Sequence, residues 1–126
     1  MSNPRFIHLR VHTEYSLLEG AVPLKSLIKL CEKRQVPAIA ITDSNALFAA
    51  LEFSVSALGA GVQPIVGCQI DVALPPREAG EKPRPAAPVV LLAQNEAGYG
   101  NLMALNSCLY LRTDGSLPHV LSLIHI

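Results

Sequence analysis

The sequence predicts an α/β fold, because short apolar strands alternate with helical segments along most of its 126 residues. Helices placed between such strands are typical of parallel β–α units. Half of the residues are apolar and 16% are charged, a composition that builds one packed domain and excludes a disordered or collagen-like chain.

Four strands are predicted. The first, at residues 6–12, alternates apolar and polar side chains, and a period of two indicates a strand with one polar face. The other three are short apolar runs at residues 38–42, 64–72 and 89–93. Because the runs at residues 38–42 and 89–93 are almost entirely apolar, we expect these two strands to be buried.

Three helices are predicted between these strands. Pro23 opens the first helix, whose apolar stripe is Leu24, Leu27, Ile28 and Cys31. Capping residue types at 43–45 precede the second, which carries on one face Phe48, Leu51, Val55 and Leu58. Asn95 caps the third, whose apolar positions are Leu102, Leu105 and Leu109.

Two segments stand outside this pattern. Residues 74–88 hold five of the ten prolines, which predicts an exposed extended loop. Residues 121–126 form an apolar tail without a cap or a charge, which predicts that the chain is a fragment of a larger fold. A part of a fold leaves strand edges and apolar faces uncovered, so we expect the isolated chain to aggregate or to be molten.

Composition also restricts the function. Ten basic residues balance ten acidic ones, which excludes nucleic-acid binding through net charge alone. No segment resembles a membrane span or a signal peptide, and three separated cysteines without a CxxC motif suit a reducing compartment. We therefore expect a cytoplasmic protein with no membrane partner.

The polar face of the first strand is the candidate site. His8, Arg10 and His12 alternate there, so they are expected to project side by side. Asp43 follows the second strand and Gln69 lies in the third, so they can share a rim with His12 at the carboxyl ends of parallel strands. Histidines with an aspartate can bind a metal ion, while a hydrogen-bonded His and a helix-capping Asp43 are the structural alternatives.

Four segments then resemble one known family, the PHP (polymerase and histidinol phosphatase) domain, in the form found at the N-terminus of bacterial DNA polymerase III alpha subunits. The matching segments are residues 8–20 (HLRVHTEYSLLEG), 40–53 (AITDSNALFAALEF), 63–69 (QPIVGCQ) and 91–102 (LLAQNEAGYGNL). The last segment is typical of the replicative polymerases, which disfavours a free-standing small-molecule phosphatase. The resemblance covers about residues 5–120, and residues 121–126 do not continue it.

The resemblance implies that residues 1–120 are part of a PHP domain, namely the first half of a distorted seven-stranded barrel. Active members hold up to three metal ions at the barrel mouth and hydrolyse phosphate esters, in some polymerases as a 3′–5′ exonuclease. The polymerase palm, with its magnesium, and the DNA-binding regions would lie beyond residue 126.

This chain departs from the active motif at four ligand positions. Arg10 replaces the first His of His-x-His, Ser44 replaces the His after Asp43, Gln69 replaces a Glu, and Pro88 stands where a His commonly opens the fourth strand. Arg cannot donate an electron pair to a metal ion, and Gln lacks the negative charge that cations prefer. His12 and Asp43 therefore remain as remnant ligands, no catalytic residue is assigned, and the domain is expected to be catalytically vestigial and to bind no cofactor.

Two further expectations follow. A buried ion pair between Arg10 and Asp43 would replace the metal in tying the first two strands together, the alternative being an Arg10 that reaches solvent. As the resemblance implies, the domain would be a scaffold within a replicative polymerase that docks an epsilon-type proofreading exonuclease subunit. The alternative function is an active zinc- or manganese-dependent phosphoesterase that uses His8, His12, Asp43 and ligands beyond residue 126.

Overall fold

The computed structural model describes residues 6–73, 78–82 and 84–111, together with the backbone of residues 120–121. Its elements, in chain order, are α1 (Leu24–Lys33), β1 (Ala38–Ile41), α2 (Ala50–Gly59), β2 (Gln63–Ala73), β3 (Ala87–Leu92), α3 (Glu96–Tyr110) and β4 (Val120–Leu121). The predicted α/β class is confirmed. Residues 74–77 and 83 of the predicted loop and 122–126 of the predicted tail lie outside the described residues.

The sheet is organised around β2, the longest strand. β1 pairs with its first half in parallel, β3 pairs with its second half in antiparallel orientation, and β4 pairs in parallel with its last two residues. The antiparallel β3 corrects the expectation of parallel units throughout. Parallel neighbours need a long crossover, commonly a helix, and the described residues between β2 and β3 contain no helix.

β3 also differs from the buried strand that was predicted. It begins at Ala87, so Pro88 belongs to the strand and not to the loop, and its first three residues are exposed. Among the described strands β3 lies at the edge of the sheet, where a proline removes no needed hydrogen bond.

The first predicted strand is an extended segment along β1, and in the structure it is not a regular strand. The Ala40 N–H donates to the His8 carbonyl at 2.9 Å, and the Thr42 N–H donates to the Val11 carbonyl at 2.8 Å. Between these two hydrogen bonds the extended segment advances three residues, from His8 to Val11, while the chain opposite advances two, from Ala40 to Thr42. One extra residue of this kind is a β-bulge, and it interrupts the alternation of side chains along the extended segment. The exposed His8 ring packs against Phe6 instead of joining the other polar side chains, with ring centroids 4.7 Å apart.

The helices bury two of the three predicted stripes. The stripe of α1 lies in a core with β1 and α2, and Leu102 and Leu109 of α3 pack with β2 as predicted, with Leu105 partly buried. The stripe predicted for α2 is wrong, because all four side chains are between 63% and 77% exposed. The face that packs inward contains Ala50, Phe53 and Ala57. Both faces of α2 are apolar, and the face with small alanines is the one that packs closely on the sheet.

Across the part of the chain that the structure describes, no helix combines the length and the apolar character needed to span a bilayer.

Gly67 is required where β2 packs between its neighbours. A Cβ at this position would lie 2.5 Å from the Leu91 carbonyl oxygen and 3.0 Å from the Thr42 methyl carbon. We expect Gly67→Ala to force β2 and β3 apart and to cost on the order of 1–3 kcal/mol. Amide hydrogen exchange of β2 and β3 in the full-length protein measures this loss of protection.

Gly59→Ala is the matched control. A Cβ on Gly59, the last residue of α2, would meet nothing within 4 Å, so this variant should exchange at the native rate or more slowly. Equal protection of β2 in the two variants would contradict the packing argument.

Candidate functional site

The predicted rim residues gather where β1 ends, beneath the loop of residues 13–20. Thr42 and Asp43 follow β1 directly, and both are buried. The chain then bridges to β2, because the Gln69 N–H donates to the Asp43 carbonyl at 3.1 Å and the Asn45 N–H donates to the Gln69 carbonyl at 2.7 Å. Asn45 adopts a left-handed conformation at φ 52°, which turns the chain away from the sheet.

The Asp43 carboxylate is 2% exposed and is held by the loop above it. Its Oδ1 accepts hydrogen bonds from the Thr13 N–H at 2.6 Å and from the Ser16 hydroxyl at 2.7 Å. The Thr13 hydroxyl donates to both carboxylate oxygens, at 3.0 and 2.8 Å, while it accepts from the Tyr15 N–H at 3.2 Å. Asp43 is therefore not a helix cap, since α2 begins seven residues later and its N-cap is Ala49.

Gly20 allows the loop to close over this carboxylate. The loop is a pair of turns in which the Ser16 N–H donates to the Thr13 carbonyl and the Gly20 N–H donates to the Ser16 carbonyl at 2.8 Å. A Cβ on Gly20 would lie 2.0 Å from the Thr13 carbonyl oxygen, which no side chain can tolerate. This close approach fixes Thr13 and Ser16 over Asp43.

His12 lies beside the same network through its Nδ1 atom. Nδ1 is 3.2 Å from the Ser16 hydroxyl oxygen, 3.3 Å from the Ser44 hydroxyl oxygen and 3.8 Å from Glu19 Oε2. Ser16 already donates its proton to Asp43, and Ser44 donates its proton to Glu19. Neither hydroxyl has a second proton, so Nδ1 must carry the hydrogen and act as the donor.

Ser44 extends the network to Arg10 through Gln69. The Gln69 amide nitrogen donates to the Ser44 hydroxyl oxygen at 3.5 Å, and Arg10 Nε donates to the Gln69 amide oxygen at 3.0 Å. The structure thus brings together four of the predicted site residues, namely Arg10, His12, Ser44 and Gln69.

The expected ion pair between Arg10 and Asp43 does not form. Among the described residues no ion pair includes either side chain, and Arg10 is exposed with Gln69 as its partner. Asp43 is covered by Thr13 and Ser16, which donate the hydrogen bonds that its carboxylate accepts. Pro88 lies opposite Asp71 in the register of β2 and β3 and takes no part in the network.

Thr13, Ser16 and Glu19 are the site residues that sequence reasoning missed. Ser16 has no neighbouring base motif such as GxSxG that would identify it as a catalytic nucleophile. The available signal was the turn-rich stretch directly after His12, because short hydroxyl side chains in turns readily bind nearby carboxylates and backbone groups.

The donor set does not fit a metal cluster. Both Asp43 oxygens already accept hydrogen bonds, and Arg10 brings a permanent positive charge to the rim. In the described ranges, no three His, Cys, Asp or Glu side chains come together in a group able to hold a metal ion. Zinc and manganese sites need several such ligands with free electron pairs.

Nearby titratable groups are shifted toward their neutral forms. Burial raises the pKa of the Cys68 thiol to about 11, and its Sγ donates to the Asp43 carbonyl at 3.4 Å. The hydrogen bond to Glu52 raises the pKa of Tyr15, and desolvation raises the pKa of Tyr110, whose hydroxyl donates to the Asn45 carbonyl. A thiol that remains protonated at neutral pH is a structural donor and not a nucleophile.

The family model described as the PHP domain matches residues 8–123. The chain belongs to the PHP domain family. This membership confirms the expectation drawn from the resemblance.

The matching relatives are DNA polymerase III alpha subunits. That of Caulobacter vibrioides is 47% identical over 106 residues, which are 84% of this chain and 9% of the relative. That of Pasteurella multocida is 38% identical over 120 residues, which are 95% of this chain and 10% of the relative. The chain therefore spans about a tenth of the length of these polymerase subunits.

A solved structure shares the fold. An amidohydrolase from Chromobacterium violaceum, determined with bound sulfate and without metal, matches with a TM-score of 0.58 and 21% identity. The match covers 82% of this chain and 32% of that protein. The likeness supports an α/β PHP-type barrel of which this sheet is one portion.

Ser16 tests the network around Asp43. Ser16→Ala removes a buried donor to the carboxylate and the acceptor of the Ser44 N–H, which lies 3.1 Å away. We expect the free energy of local opening to fall by about 2–3 kcal/mol, because a hydrogen bond to a charged group is lost. Hydrogen exchange of residues 11–20 and 40–46 in the full-length protein measures this loss.

Ser26→Ala is the matched control on the exposed side of α1. It makes the same chemical change, and alanine favours the helix, so protection should not fall. If both variants left residues 40–46 equally protected, Ser16 would not be holding Asp43.

Proposed function

We propose that this chain is part of the PHP domain of a replicative DNA polymerase and that the domain is a non-catalytic scaffold. The observation that carries the proposal is the buried Asp43 carboxylate, whose two oxygens both accept hydrogen bonds from the loop, through Thr13 and Ser16. Template-directed DNA synthesis, with its magnesium, belongs to the remainder of the parent chain, and the whole protein works in the cytoplasm.

A metal ion could not use Asp43 without disrupting the loop. An ion at Oδ2 would compete with the Thr13 hydroxyl, and an ion at Oδ1 would compete with the Thr13 N–H and the Ser16 hydroxyl, so the loop would lose contacts that fix residues 13–16. The side chains at the neighbouring ligand positions would not compensate for this loss, because Arg10 is positively charged and Ser44 and Gln69 are neutral. Of the motif positions named, Asp43 alone is then anionic, and zinc and manganese sites need several ligands with free electron pairs.

The hydrogen-bond network ties neighbouring strands together at the rim, as a metal cluster would in an active member. It connects the extended segment at Arg10 and His12, the end of β1 at Ser44, and β2 at Gln69. These contacts hold the rim closed without any ion. A rigid rim of this kind is what a docking scaffold requires.

Metal content tests the absence of catalysis. The full-length polymerase, purified without chelator and analysed by plasma mass spectrometry, should carry less than about a tenth of an equivalent of zinc or manganese in this domain. The domain's own contribution is the difference from an Asp43→Asn, His12→Gln variant. One or more equivalents lost in that variant, with hydrolysis of a phosphate ester, would overturn the proposal and favour the phosphoesterase.

A variant with restored ligands is the positive control for that assay. Arg10→His, Ser44→His and Gln69→Glu together return the residue types of the active motif to this rim. We expect this variant to take up more zinc or manganese than the native protein. Equal uptake by both proteins would show that the three positions do not decide metal binding.

We further propose that the domain docks the proofreading exonuclease subunit of its replicase. The support is the family resemblance together with a rim that offers no hydrolytic chemistry of its own, so that proofreading must come from a partner. The exonuclease would then supply the 3′–5′ activity.

Hydrogen exchange of the full-length polymerase with and without its exonuclease subunit tests the docking. Binding should slow exchange in peptides from residues 6–73 or 84–111. Formation of the complex without any slowing in these peptides would place the docking surface elsewhere in the polymerase.

A further inference from the structure

Helix α1 presents a row of lysines to solvent. Lys25, Lys29 and Lys33 are spaced four residues apart and are all exposed. At about 100° per residue, positions i, i+4 and i+8 form a continuous ridge within roughly 80° of the helix surface. The ridge lies opposite the buried stripe of α1, so its ammonium groups face away from the core.

This lysine ridge (Lys25, Lys29 and Lys33) works against the stability of its own helix. Lys25 stands in the first turn, where no acidic residue is present and where the helix dipole disfavours a positive charge. Lys25 and Lys29, and likewise Lys29 and Lys33, are like-charge pairs at i, i+4, which destabilise a helix. Only Lys33, in the last turn, is favourably placed.

The surroundings neutralise the ridge only in part, since the Glu14 carboxylate lies at the N-terminus of α1 and Glu32 stands three residues after Lys29. Glu32 is the one carboxylate in the sequence of α1, and Arg34 adds a further positive charge directly after it. Across the described ranges, neither of the two ion pairs found includes a lysine of this helix. A charge arrangement that costs folding stability and makes no ion pair with any described residue is suited to a ligand outside this part of the chain.

We propose that the lysine ridge binds the phosphate backbone of nucleic acid. Neighbouring ridge positions are about 6 Å apart along the helix, and every second phosphate of a DNA strand is about 6.8 Å apart along its axis. Flexible ammonium groups in such a row match a line of phosphates without reading bases. Binding through a local ridge is compatible with the zero net charge of the chain.

The position of the ridge places it beside the rim. Its first lysine follows Leu24, whose N–H donates to the Glu14 carboxylate at 3.4 Å, in the loop that covers Asp43. A strand bound along α1 would therefore pass the edge of the barrel mouth. The inference goes beyond the scaffold proposal, which needs no contact with DNA from this domain.

Salt dependence of DNA binding tests the ridge. Anisotropy titrations of full-length polymerase with a primer–template should be repeated over a series of KCl concentrations. For the variant with Lys25→Gln, Lys29→Gln and Lys33→Gln, the slope of log Kobs against log [KCl] should become less steep by about 2–3, because each phosphate contact contributes about 0.9. The change should be the same for unrelated DNA sequences, and an unchanged slope would overturn the proposal.

A matched pair of single variants separates a contact from a general effect of charge. Lys29→Gln and Lys82→Gln each remove one positive charge from an exposed position, and Lys82 lies outside α1. Only Lys29→Gln should reduce the slope, by about one. Equal slopes for the two variants would overturn the proposal. The proposal would also be overturned if an acidic protein bound the native ridge while the slope for DNA stayed unchanged in the lysine variants.

Thermal stability tests the premise independently. Because the three substitutions remove like-charge repulsion, the triple variant should melt at the same temperature as the native protein or at a higher one. A clearly lower melting temperature would mean that the lysines serve folding and would contradict the inference. Either result leaves the scaffold proposal standing, since that proposal rests on Asp43.

Discussion

Burial of the Asp43 carboxylate is the constraint on which the rim of this domain depends. An isolated carboxylate removed from water costs several kcal/mol, so it must receive hydrogen bonds or be exposed. The loop of residues 13–20 meets this demand with one backbone N–H and two hydroxyl groups. Gly20 makes the loop tight enough to do so, and the end of β1 is thereby fixed to the segment that precedes the loop.

The sequence allowed the location of the site to be predicted, but not its contacts. Strand ends and residue types placed His12, Asp43 and Gln69 at one rim, and the structure brings all three to that region. The partner of Arg10 could not be read from the pattern, because an ion pair and a bond to an amide use the same guanidinium. Which one forms depends on whether Asp43 is already covered, and that was decided by Thr13 and Ser16.

In the fold, likewise, the positions of the helices could be predicted from the sequence, but the buried face of every helix could not. The stripes of α1 and α3 were predictable because each helix has one apolar face and one polar or mixed face. Helix α2 is apolar on both faces, so periodicity could not decide between the stripe with Leu51 and Val55 and the face with Ala50 and Ala57. Close packing on the sheet decided it in favour of the alanines. β3 was expected to be buried because its residues are apolar, yet it lies at the edge of the described sheet.

The direction of each hydrogen bond explains why the side chains at three lost ligand positions, Arg10, Ser44 and Gln69, are compatible as donors and acceptors. Ser44 gives its only proton to Glu19, so its oxygen can accept from position 69 but cannot donate to it. Gln69 meets both needs, because its nitrogen donates to Ser44 while its oxygen accepts from Arg10. A glutamate there would supply no donor and would place a second carboxylate beside the hydroxyl that already binds Glu19. Arginine and glutamine at these two positions are therefore complementary parts of one network, and a return of either to the active motif alone would break it.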